Sequence, residues 1–465
     1  MDEVAIVVLA AGLGKRMGLG SPKVLALTDS GTLIEHLLKG LEDLPAARLV
    51  VVTGFGHEQV EENIKNSKRL SQTLKDKVSF VFQPEQKGTG DAVRCSLPAL
   101  ASFKGTVLVM PGDTPLIRSE SLKDLIKQHE SGKATISLLT FTTPESNAYG
   151  RVIRDKSKGQ VLRIVEAKDC SAEELSCQEY NSSMYAVDSA FLPGALQNIG
   201  QKNAQGEFYF TDVVKIAVDE GQTVQAVFAH DCREFLGVNT LLELNRINRL
   251  IAQRRIEKLI LEGACISNPD STYIGPDVKI SPQVRIGPDV QIRGKSEIAS
   301  GVIFEGSAYL LDTIVEENAV IRFSVRSEQA KIGKGAAIGP FAHLRKGTVL
   351  EEDTRIGNFV EVKNSHISKG TKASHLTYLG DTRIGQNTNV GAGTITCNYD
   401  GLNKNPTMIG DNVFIGSNTC LVAPVTIEDN VLIGAGSVIT KNVEKGALAL
   451  TRPPLLVKPG RGVKK

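Results

Sequence analysis

The feature that most limits what this chain can fold into is an aliphatic residue at every sixth position of its C-terminal half. Isoleucine or a close substitute occupies positions 274, 280, 286, 292, 298 and 304, then 332 to 362, then 409 to 439 at the same spacing. Three phased runs of this kind are typical of a parallel β-helix, in which each short strand points one side chain into a prism-shaped interior. Successive coils stack about 4.8 Å apart, so that backbone hydrogen bonds form between them along the axis of the prism. We therefore predict an all-β, β-helical domain over residues 264–465.

The hexad phase breaks at 306–331, 364–383 and 396–408, and the first of these segments matches the period only in pieces. Such breaks are where loops can leave the coil. Because the faces of a prism are flat, one chain offers little depth for a pocket, and we expect neighbouring subunits to complete it. The pattern thus predicts an oligomer with three-fold packing of prisms, a homotrimer.

The N-terminal half follows a different period. From residue 1 to about 236, the apolar runs "VAIVVLA", "RLVVVTG", "VSFVFQ", "GTVLVMPGD", "ATISLLT" and "VQAVFA" alternate with amphipathic stretches such as "ESLKDLIKQHES". This alternation predicts βαβ units around a largely parallel sheet, a Rossmann-like α/β domain over residues 1–236. Residues 237–263 carry leucine and isoleucine at helical spacing, so we interpret them as a linker helix.

The first apolar run leads into a loop, "LAAGLGKRMGLGSPK", that combines four glycines with Lys15, Arg16 and Lys23. Glycines let backbone N–H groups approach a phosphate closely, and cations neutralise it. The spacing matches neither the dinucleotide fingerprint nor the G-x-x-x-x-G-K-[ST] phosphate loop. Taken alone, the loop is either a nucleotide site or a glycine-rich turn with solvated cations. It lies, like Asp113, at the carboxyl end of a predicted strand, where ligands collect in α/β sheets.

The charge balance indicates small-molecule partners. Lysine and arginine number 54 against 52 acidic residues, and neither sign forms a long block that would suit nucleic acid or a lipid surface. No run of 18 apolar residues occurs and the first ten residues lack a signal-peptide pattern, so we expect a cytoplasmic protein with no membrane partner. Seven scattered cysteines without metal-ligand spacing predict free thiols.

The glycine-rich loop resembles the signature of the sugar nucleotidyltransferase family, with Lys23 in the position of that family's "PK". "QPEQKGTGDAV", "PGDTPL", "YGRVI", "IVEAKD", "YN", "GEFYFTDVV" and "GVN" follow in family order. The resemblance implies uridylyl transfer from UTP to a sugar 1-phosphate, with Arg16 and Lys23 neutralising phosphates and with Asp113 and Asn239 holding Mg²⁺. The nucleotide and sugar site that it implies consists of Leu9, Ala10, Ala11, Gly12, Lys23, Gln83, Gly88, Thr89, Gly150, Glu166, Asn181 and Asn239.

Over nearly its whole length the chain is similar to a narrower family, the bifunctional bacterial N-acetylglucosamine-1-phosphate uridylyltransferases and glucosamine-1-phosphate acetyltransferases. The most specific stretch is 356–404, where "HLTYLGD" and "GAGTITCNYDG" break the hexad phase. The resemblance implies a left-handed β-helix, His375 as general base, Glu361 as the group that orients it, and the Tyr399 amide as oxyanion donor. It further implies an amino-sugar-phosphate site at Arg345, Lys363, Tyr378, Asn389 and Lys404, and an acetyl-CoA site at Ala392, Asn398, Tyr399, Ser417, Ala435 and Arg452.

Together these likenesses imply two consecutive reactions: acetylation of glucosamine 1-phosphate by acetyl-CoA, then uridylylation of the product to UDP-N-acetylglucosamine. One alternative is a monofunctional nucleotidyltransferase whose β-helix serves only assembly or regulation. Another is a scaffold in which the prism binds partners beside an inert α/β domain, which leaves Asp113 and Asn239 unexplained. The chain also departs from the family pattern, because relatives usually have glycine at the position of Ser183, beside the expected N-acetyl pocket.

Overall fold

The structure, a computed structural model, describes residues 3–12, 14, 17–18, 20–144, 149–459 and 461–462. The chain divides into two compact units, Met1–Leu250 and Ile251–Lys465. The first is α/β and the second all-β apart from its first helix, which confirms the predicted change of architecture. No helix within the described ranges is long and apolar enough to cross a membrane. The seven cysteines are free, as predicted.

The N-terminal unit is built around a mixed, mainly parallel sheet. Its strands are β1 (Glu3–Ala10), β2 (Leu27–Thr28), β3 (Gly31–Thr32), β4 (Ala46–Thr53), β5 (Val78–Phe82), β6 (Gly105–Pro111), β7 (Ile136–Phe141), β8 (Arg151–Arg154), β9 (Val161–Val165), β10 (Tyr180–Asp188) and β11 (Val224–Phe228). The order across the sheet is β11-β7-β10-β6-β1-β4-β5, and β8 pairs with β10 and β9. β2 and β3 form a separate two-stranded sheet. All six predicted strands are present.

Helices cover both faces of this sheet. They are α1 (Leu33–Gly40), α2 (His57–Asn66), α3 (Gln72–Lys77), α4 (Thr89–Ser96), α5 (Ser119–Ser131), α6 (Ala172–Leu175), α7 (Leu192–Asn198) and α8 (Asp212–Asp219), with 3₁₀ turns at Lys23–Leu25, Leu97–Leu100 and Cys232–Phe235. A further helix, α9 (Leu241–Leu261), follows them in the chain. The helix predicted between the two halves is α9, and the boundary between the compact units falls inside it, after Leu250.

The burial of β1 shows why its sequence is an unbroken apolar run. Val4, Ile6 and Val8 belong to the core cluster on one face of the sheet. Ala5 and Val7 belong to the cluster on the other face. Successive side chains of a strand point to opposite faces, so a strand covered on both sides needs apolar residues throughout.

Five strands, β2, β3, β8, β9 and β10, were not among the predicted runs, and the longest of them is β10. β10 runs antiparallel to both β6 and β7. Its sequence "YNSSMYAVD" is polar near the start, and its register shifts between Asn181 and Tyr185. A bulge of this kind bends a strand and redirects its side chains, which hides the period-2 pattern that predicts strands.

The C-terminal unit is the predicted β-helix, a left-handed prism with three faces. The first face consists of Cys265–Ile266, Arg285–Ile286, Ile303–Phe304, Val320–Ile321, Ala337–Ile338, Asn389–Val390, Phe414–Ile415, Leu432–Ile433 and Leu448–Ala449. The second consists of Tyr273–Ile274, Val290–Arg293, Ala308–Leu311, Val325–Glu328, His343–Leu344, Ile395–Cys397, Cys420–Val422 and Val438–Ile439. The third consists of Lys279–Ile280, Glu297–Ile298, Ile314–Val315, Lys331–Ile332, Val349–Leu350, His366–Ile367, Thr382–Ile384, Thr407–Ile409 and Val425–Ile427.

Two longer strands, Arg355–Lys363 and Lys372–Gly380, run from the first face round the corner into the second. A 3₁₀ turn, Pro269–Ser271, lies in the first coil. Apart from Ile280, which is half-buried and packs against the core, every hexad position identified in the sequence is buried inside the prism. The period of six is therefore confirmed as the spacing of inward side chains.

The structure also assigns the register of 306–331. In 306–331 and in the second interrupted segment, 364–383, the spacing between successive inward side chains is mostly six. It falls to five at four steps. These steps run from Leu310 to Val315, Ser327 to Ile332, Val362 to Ile367 and Leu379 to Ile384. The third break is an insertion. The inward residues Thr396 and Ile409 are thirteen positions apart instead of six, so seven extra residues leave the coil between them.

Each shortened step contains one residue in the left-handed region at its corner. These residues are Asp312 (φ 49°), Gln329 (φ 48°), Asn364 (φ 45°) and Asp381 (φ 49°). Aspartate and asparagine accept this conformation more readily than most residues. Ser327, which points inward and bonds the Thr313 hydroxyl at 3.1 Å, also hides the period because it is polar.

Candidate active sites in the two units

The N-terminal unit has a cavity of about 620 Å³ where β1 and β6 end. Leu9 pairs with Pro111 across these strands, and the Gly112 N–H donates to the Leu9 carbonyl at 2.8 Å. The loop after β1 and Asp113 therefore meet at one edge of the sheet. The predicted residues that line the cavity are Leu9, Ala11, Gly12, Lys23, Gln83, Gly88, Thr89, Asp113, Glu166 and Asn239.

The centre of the cavity is an ionic contact across three segments of the chain. The Lys23 ammonium forms an ion pair with Asp113 and donates to Asn239 Oδ1 at 3.0 Å. The Asp113 carboxylate and the Asn239 amide oxygen thus point at one cation. Both are hard oxygen donors of the kind that Mg²⁺ takes, so the residues present fit a magnesium site. Among the described residues no group of three or more histidines, cysteines, aspartates or glutamates is arranged to hold a metal ion.

One end of the cavity is formed by Gln83 and the start of α4. Gln83 is buried, and its Nε2 donates to Asp91 Oδ2 at 2.8 Å and to the Gly88 carbonyl at 3.3 Å. Gly88 has a φ of 110°, and a Cβ there would meet the backbone of Phe208. The Thr89 hydroxyl accepts from the Phe210 N–H at 2.9 Å. These contacts fix a narrow slot that only glycine at position 88 permits.

Another part of the cavity wall is formed by Glu166, Ser183 and Tyr185. Burial, together with the nearby Asp169 carboxylate, raises the pKa of Glu166. Asn181 is buried and its Nδ2 donates to the Tyr185 hydroxyl at 2.7 Å. Ser183 has a φ of 63° and donates its backbone N–H to Asn181 Oδ1 at 3.1 Å.

Three predicted residues do not line this cavity. Ala10 is buried at the end of β1, Asn181 lies behind Tyr185, and Gly150 accepts from the Asn181 N–H at 2.9 Å. Arg16 falls outside the described residues. The wall also includes Gln86, Glu207, Phe210 and Thr211, which sequence reasoning did not single out, although "GEFYFTDVV" placed the last three in a family motif.

The second site is on the outside of the prism, where polar side chains stack from coil to coil. On the second face, Glu361 pairs with His343 on one side and with Tyr378 on the other. Arg345 Nη1 donates to Glu361 Oε1 at 2.7 Å. Because each coil repeats the same outward position, residues far apart in sequence form one continuous polar strip.

Cations gather beside this strip. The nearby Lys404 ammonium lowers the pKa of Lys363, and desolvation and Arg345 act in the same direction. Hydrogen bonding to Glu361 raises the pKa of Arg345. Two ammonium groups held close together repel each other, so the arrangement is suited to a multiply charged anion such as a phosphate.

His375 lies at the corner between the first and second faces, directly above Asn358 in the coil register. Its Nδ1 lies 2.7 Å from Asn358 Oδ1. The residues that follow them, Phe359 (φ 55°) and Leu376 (φ 39°), adopt left-handed conformations and are exposed. Glu361, the predicted partner, points along the second face toward Arg345 instead.

The same corner continues into the predicted acetyl-CoA residues. The Gly393 N–H donates to the Leu376 carbonyl at 2.7 Å, the Asn418 N–H to Ala392 at 2.7 Å, and the Gly436 N–H to Ser417 at 2.8 Å. Arg452 Nε donates to the Ala435 carbonyl at 3.3 Å. Ala392, Ser417 and Ala435 therefore form a strip of small residues that leads from His375 to Arg452. Asn389 lies on the first face, paired with Lys372 and Phe414.

The inserted loop returns to this region as a short hairpin. Tyr399 and Lys404 form an antiparallel bridge, and the Asn405 N–H donates to the Asn398 carbonyl at 2.7 Å. Asp400 accepts from the N–H groups of Leu402 and Asn403 at 2.8 and 2.7 Å. Buried Asn398 donates to Asp381 at 2.5 Å, which ties the loop to the coil below. Asp400 and Asp381 were not singled out in the sequence; for Asp400 the Asx turn in "NYDG" was the available signal.

Comparison with known proteins places both units among transferases. A family described as MobA-like NTP transferase domain matches residues 6–180, bacterial transferase hexapeptide (six repeats) matches 329–364, and hexapeptide repeat of succinyl-transferase matches 406–441. "Bifunctional protein GlmU" of Pelobacter propionicus is 42% identical over 99% of this chain and 98% of its own length. Proteins of that name from Streptococcus mutans and Geotalea uraniireducens are 41% identical over 99% and 100% of this chain, and 97% and 100% of their own lengths.

Proposed function

The chain belongs to the family of bifunctional GlmU proteins, transferases with uridylyltransferase and acetyltransferase activity, and from this premise we propose how its two units divide the work. The C-terminal unit transfers the acetyl group of acetyl-CoA to the amine of glucosamine 1-phosphate. The N-terminal unit then transfers a uridylyl group from UTP to the product and releases pyrophosphate. What carries the proposal is that each unit has its own site, a 620 Å³ cavity in one and the His375 corner in the other.

In the N-terminal cavity the chain's own residues align the reactants. The slot at Gln83 and Gly88 receives the uracil, and Glu166 binds the sugar. Asn181, which lies behind Tyr185, positions the Tyr185 hydroxyl in the cavity wall. Mg²⁺ held by Asp113 and Asn239 would neutralise charge on the phosphates. A sugar-phosphate oxygen attacks the α-phosphorus in line with the departing pyrophosphate, so no covalent enzyme intermediate is needed. Lys23 contributes a positive charge to the attacking phosphate.

In the C-terminal unit His375 acts as general base. The Asn358 oxygen can only accept, so Nδ1 carries the hydrogen and Nε2 is free to take a proton. The sugar nitrogen attacks the thioester carbonyl and loses its proton to Nε2; the carbon–sulfur bond then breaks, and the departing CoA thiolate takes up that proton to leave as the thiol. Arg345, Lys363 and Lys404 hold the sugar phosphate, and acetyl-CoA lies along the strip of small residues toward Arg452.

A column of exposed aromatic rings supports assembly into a trimer. Phe323, Phe341 and Phe359 lie on successive coils, with ring centroids 5.8 and 5.3 Å apart, and each is about half exposed. A contiguous apolar surface of this kind is typical of a protein contact. It borders Asn358 and His375, so a neighbouring prism packed on it would also wall the acetyl-transfer site. Phe341→Asp is expected to give monomers in sedimentation and to lose acetyl transfer while pyrophosphate release persists.

Two separate substitutions test the division of labour. His375→Ala should abolish thiol release from acetyl-CoA and leave pyrophosphate release from UTP and N-acetylglucosamine 1-phosphate intact. Asp113→Ala should abolish pyrophosphate release and leave thiol release from acetyl-CoA intact. If His375→Ala left thiol release unchanged, or if wild-type protein consumed no acetyl-CoA, the prism would serve assembly only, as in the monofunctional alternative.

A further inference from the structure

Lys23 occupies the point at which the two expected metal ligands meet. Its ammonium is paired with the Asp113 carboxylate and lies 3.0 Å from Asn239 Oδ1, and the Lys23 and Asp113 side chains are each 16% exposed. A metal ion bound by the same two oxygens, Asp113 Oδ2 and Asn239 Oδ1, would lie where the ammonium now lies. One site cannot hold both cations at once.

The backbone around this contact is fixed, whereas the lysine side chain is free to turn. Lys23 begins the 3₁₀ turn Lys23–Leu25, and its neighbour Val24 is buried in the core. A Cβ on Gly14 would lie 2.8 Å from the Lys23 Cβ, so the glycine allows the loop to close on it. The Val238 N–H donates to the Asp113 carbonyl at 3.2 Å, which holds the other side. Four rotatable bonds let the ammonium move without any change in these elements.

We propose that Lys23 is an internal cation that competes with the divalent metal for Asp113 and Asn239, and that metal binding releases the ammonium toward the substrate phosphates. The proposal rests on the assignment of Asp113 and Asn239 as metal ligands. The carboxylate is then neutralised in both states, and the lysine becomes available to phosphate only when the metal is in place. The competition weakens the apparent metal affinity. The apparent dissociation constant is the intrinsic one divided by the fraction of molecules in which Lys23 has left the site.

Binding of Mn²⁺ alone, followed by electron paramagnetic resonance, tests the competition. Full-length protein freed of metal with a chelator is titrated as wild type, Lys23→Gln, Lys87→Gln and Asp113→Asn. Lys23→Gln should bind Mn²⁺ about tenfold more tightly than wild type, as expected if the site is open in one molecule in ten. Lys87 is an exposed cation near the cavity, paired with Glu85 at 2.7 Å, so Lys87→Gln controls for loss of charge alone. Equal tightening in both variants, or none in Lys23→Gln, overturns the proposal.

Amine labelling of the wild type reports the position of Lys23 directly. A lysine-acylating reagent with mass-spectrometric readout should label Lys23 several times faster when Mn²⁺ is bound than when it is absent, while Lys87 labels at the same rate in both. An unchanged or slower rate at Lys23 with Mn²⁺ bound contradicts the release. If Asp113→Asn binds Mn²⁺ as well as wild type, the metal assignment fails instead, which separates failure of the proposed function from failure of the lysine mechanism.

Discussion

The His375 imidazole is held by Asn358, through a contact of 2.7 Å between Nδ1 and Oδ1, and not by the nearby carboxylate of Glu361. Glu361 is engaged by Arg345, also at 2.7 Å. The coil register explains the pairing, because Asn358 lies directly below His375 whereas Glu361 lies below Tyr378. A neutral amide therefore sets the tautomer of the proposed base, and the Glu361 carboxylate belongs to the polar strip that we propose as the binding site of the sugar phosphate.

Asn358→Ala should lower kcat for acetyl transfer about 10- to 100-fold, a part of the ~10²–10⁴ that a positioned base contributes. Asn358→Asp places a negative charge beside the ring and favours the imidazolium, so the acidic limb of the pH–rate profile should move to higher pH. Thiol release measured from pH 5 to 9 checks both, with pyrophosphate release as the internal control. A limb that moves with Glu361→Gln and not with the Asn358 variants would assign the orienting role to Glu361.

Lys404→Met should weaken binding of glucosamine 1-phosphate and raise its KM about tenfold, roughly 1.4 kcal/mol. Because Lys404 lowers the pKa of Lys363, wild-type Lys363 loses its proton at lower pH than an ordinary lysine. Removing Lys404 should therefore extend the remaining phosphate binding to higher pH. Initial rates of acetyl transfer across pH 7–10 measure this, and a KM that is unchanged at every pH would remove Lys404 from the phosphate site.

Glu166→Gln should remove a pH dependence of stability. Burial raises the pKa of Glu166 above its ordinary value of 4.5, so the folded protein binds a proton there that the unfolded chain has released. Stability is then full below about pH 4.5 and falls as pH rises through the folded pKa, by about 1.4 kcal/mol for each unit of difference. Urea unfolding at several pH values should show a decline in wild type that is smaller in the variant. Parallel curves for both proteins would refute the assignment.

Ser183→Gly should stabilise the N-terminal unit by up to about 1 kcal/mol, because the left-handed φ of 63° strains a residue with a Cβ. The backbone bond to Asn181 survives the change. Ser183→Ala is the matched control: it removes the hydroxyl, keeps the strain and should bring no gain. Thermal unfolding compares the three proteins, and the KM for N-acetylglucosamine 1-phosphate shows whether the serine narrows the cavity. A loss of stability in the glycine variant would mean that the hydroxyl is needed.

Sequence alone predicted the prism well because burial dictates one apolar residue per strand, and Ile286 or Leu344 can satisfy the interior only at that spacing. It could not assign the segment around Ser327, where a polar residue points inward and a corner is one residue short. The candidate site residues came from the resemblance of the whole chain to a known family, because hydrophobic periodicity and motif spacing do not identify them. Contacts between distant segments could not be predicted from the sequence. Lys23 and Asp113, for example, are 90 residues apart, and only the fold brings them together.

The seven extra residues between Thr396 and Ile409 leave the strand pairing undisturbed on either side, since Ile384 pairs with Ile409 and Thr396 with Leu421 in unbroken ladders. The column therefore tolerates an excursion of this size without rephasing the coils above it. Loops of other length and composition could be grafted at the same point with the core left intact. The packed interior thus fixes the position of the outward corner that carries His375, and the inserted loop adds Lys404 near Lys363 without altering that interior.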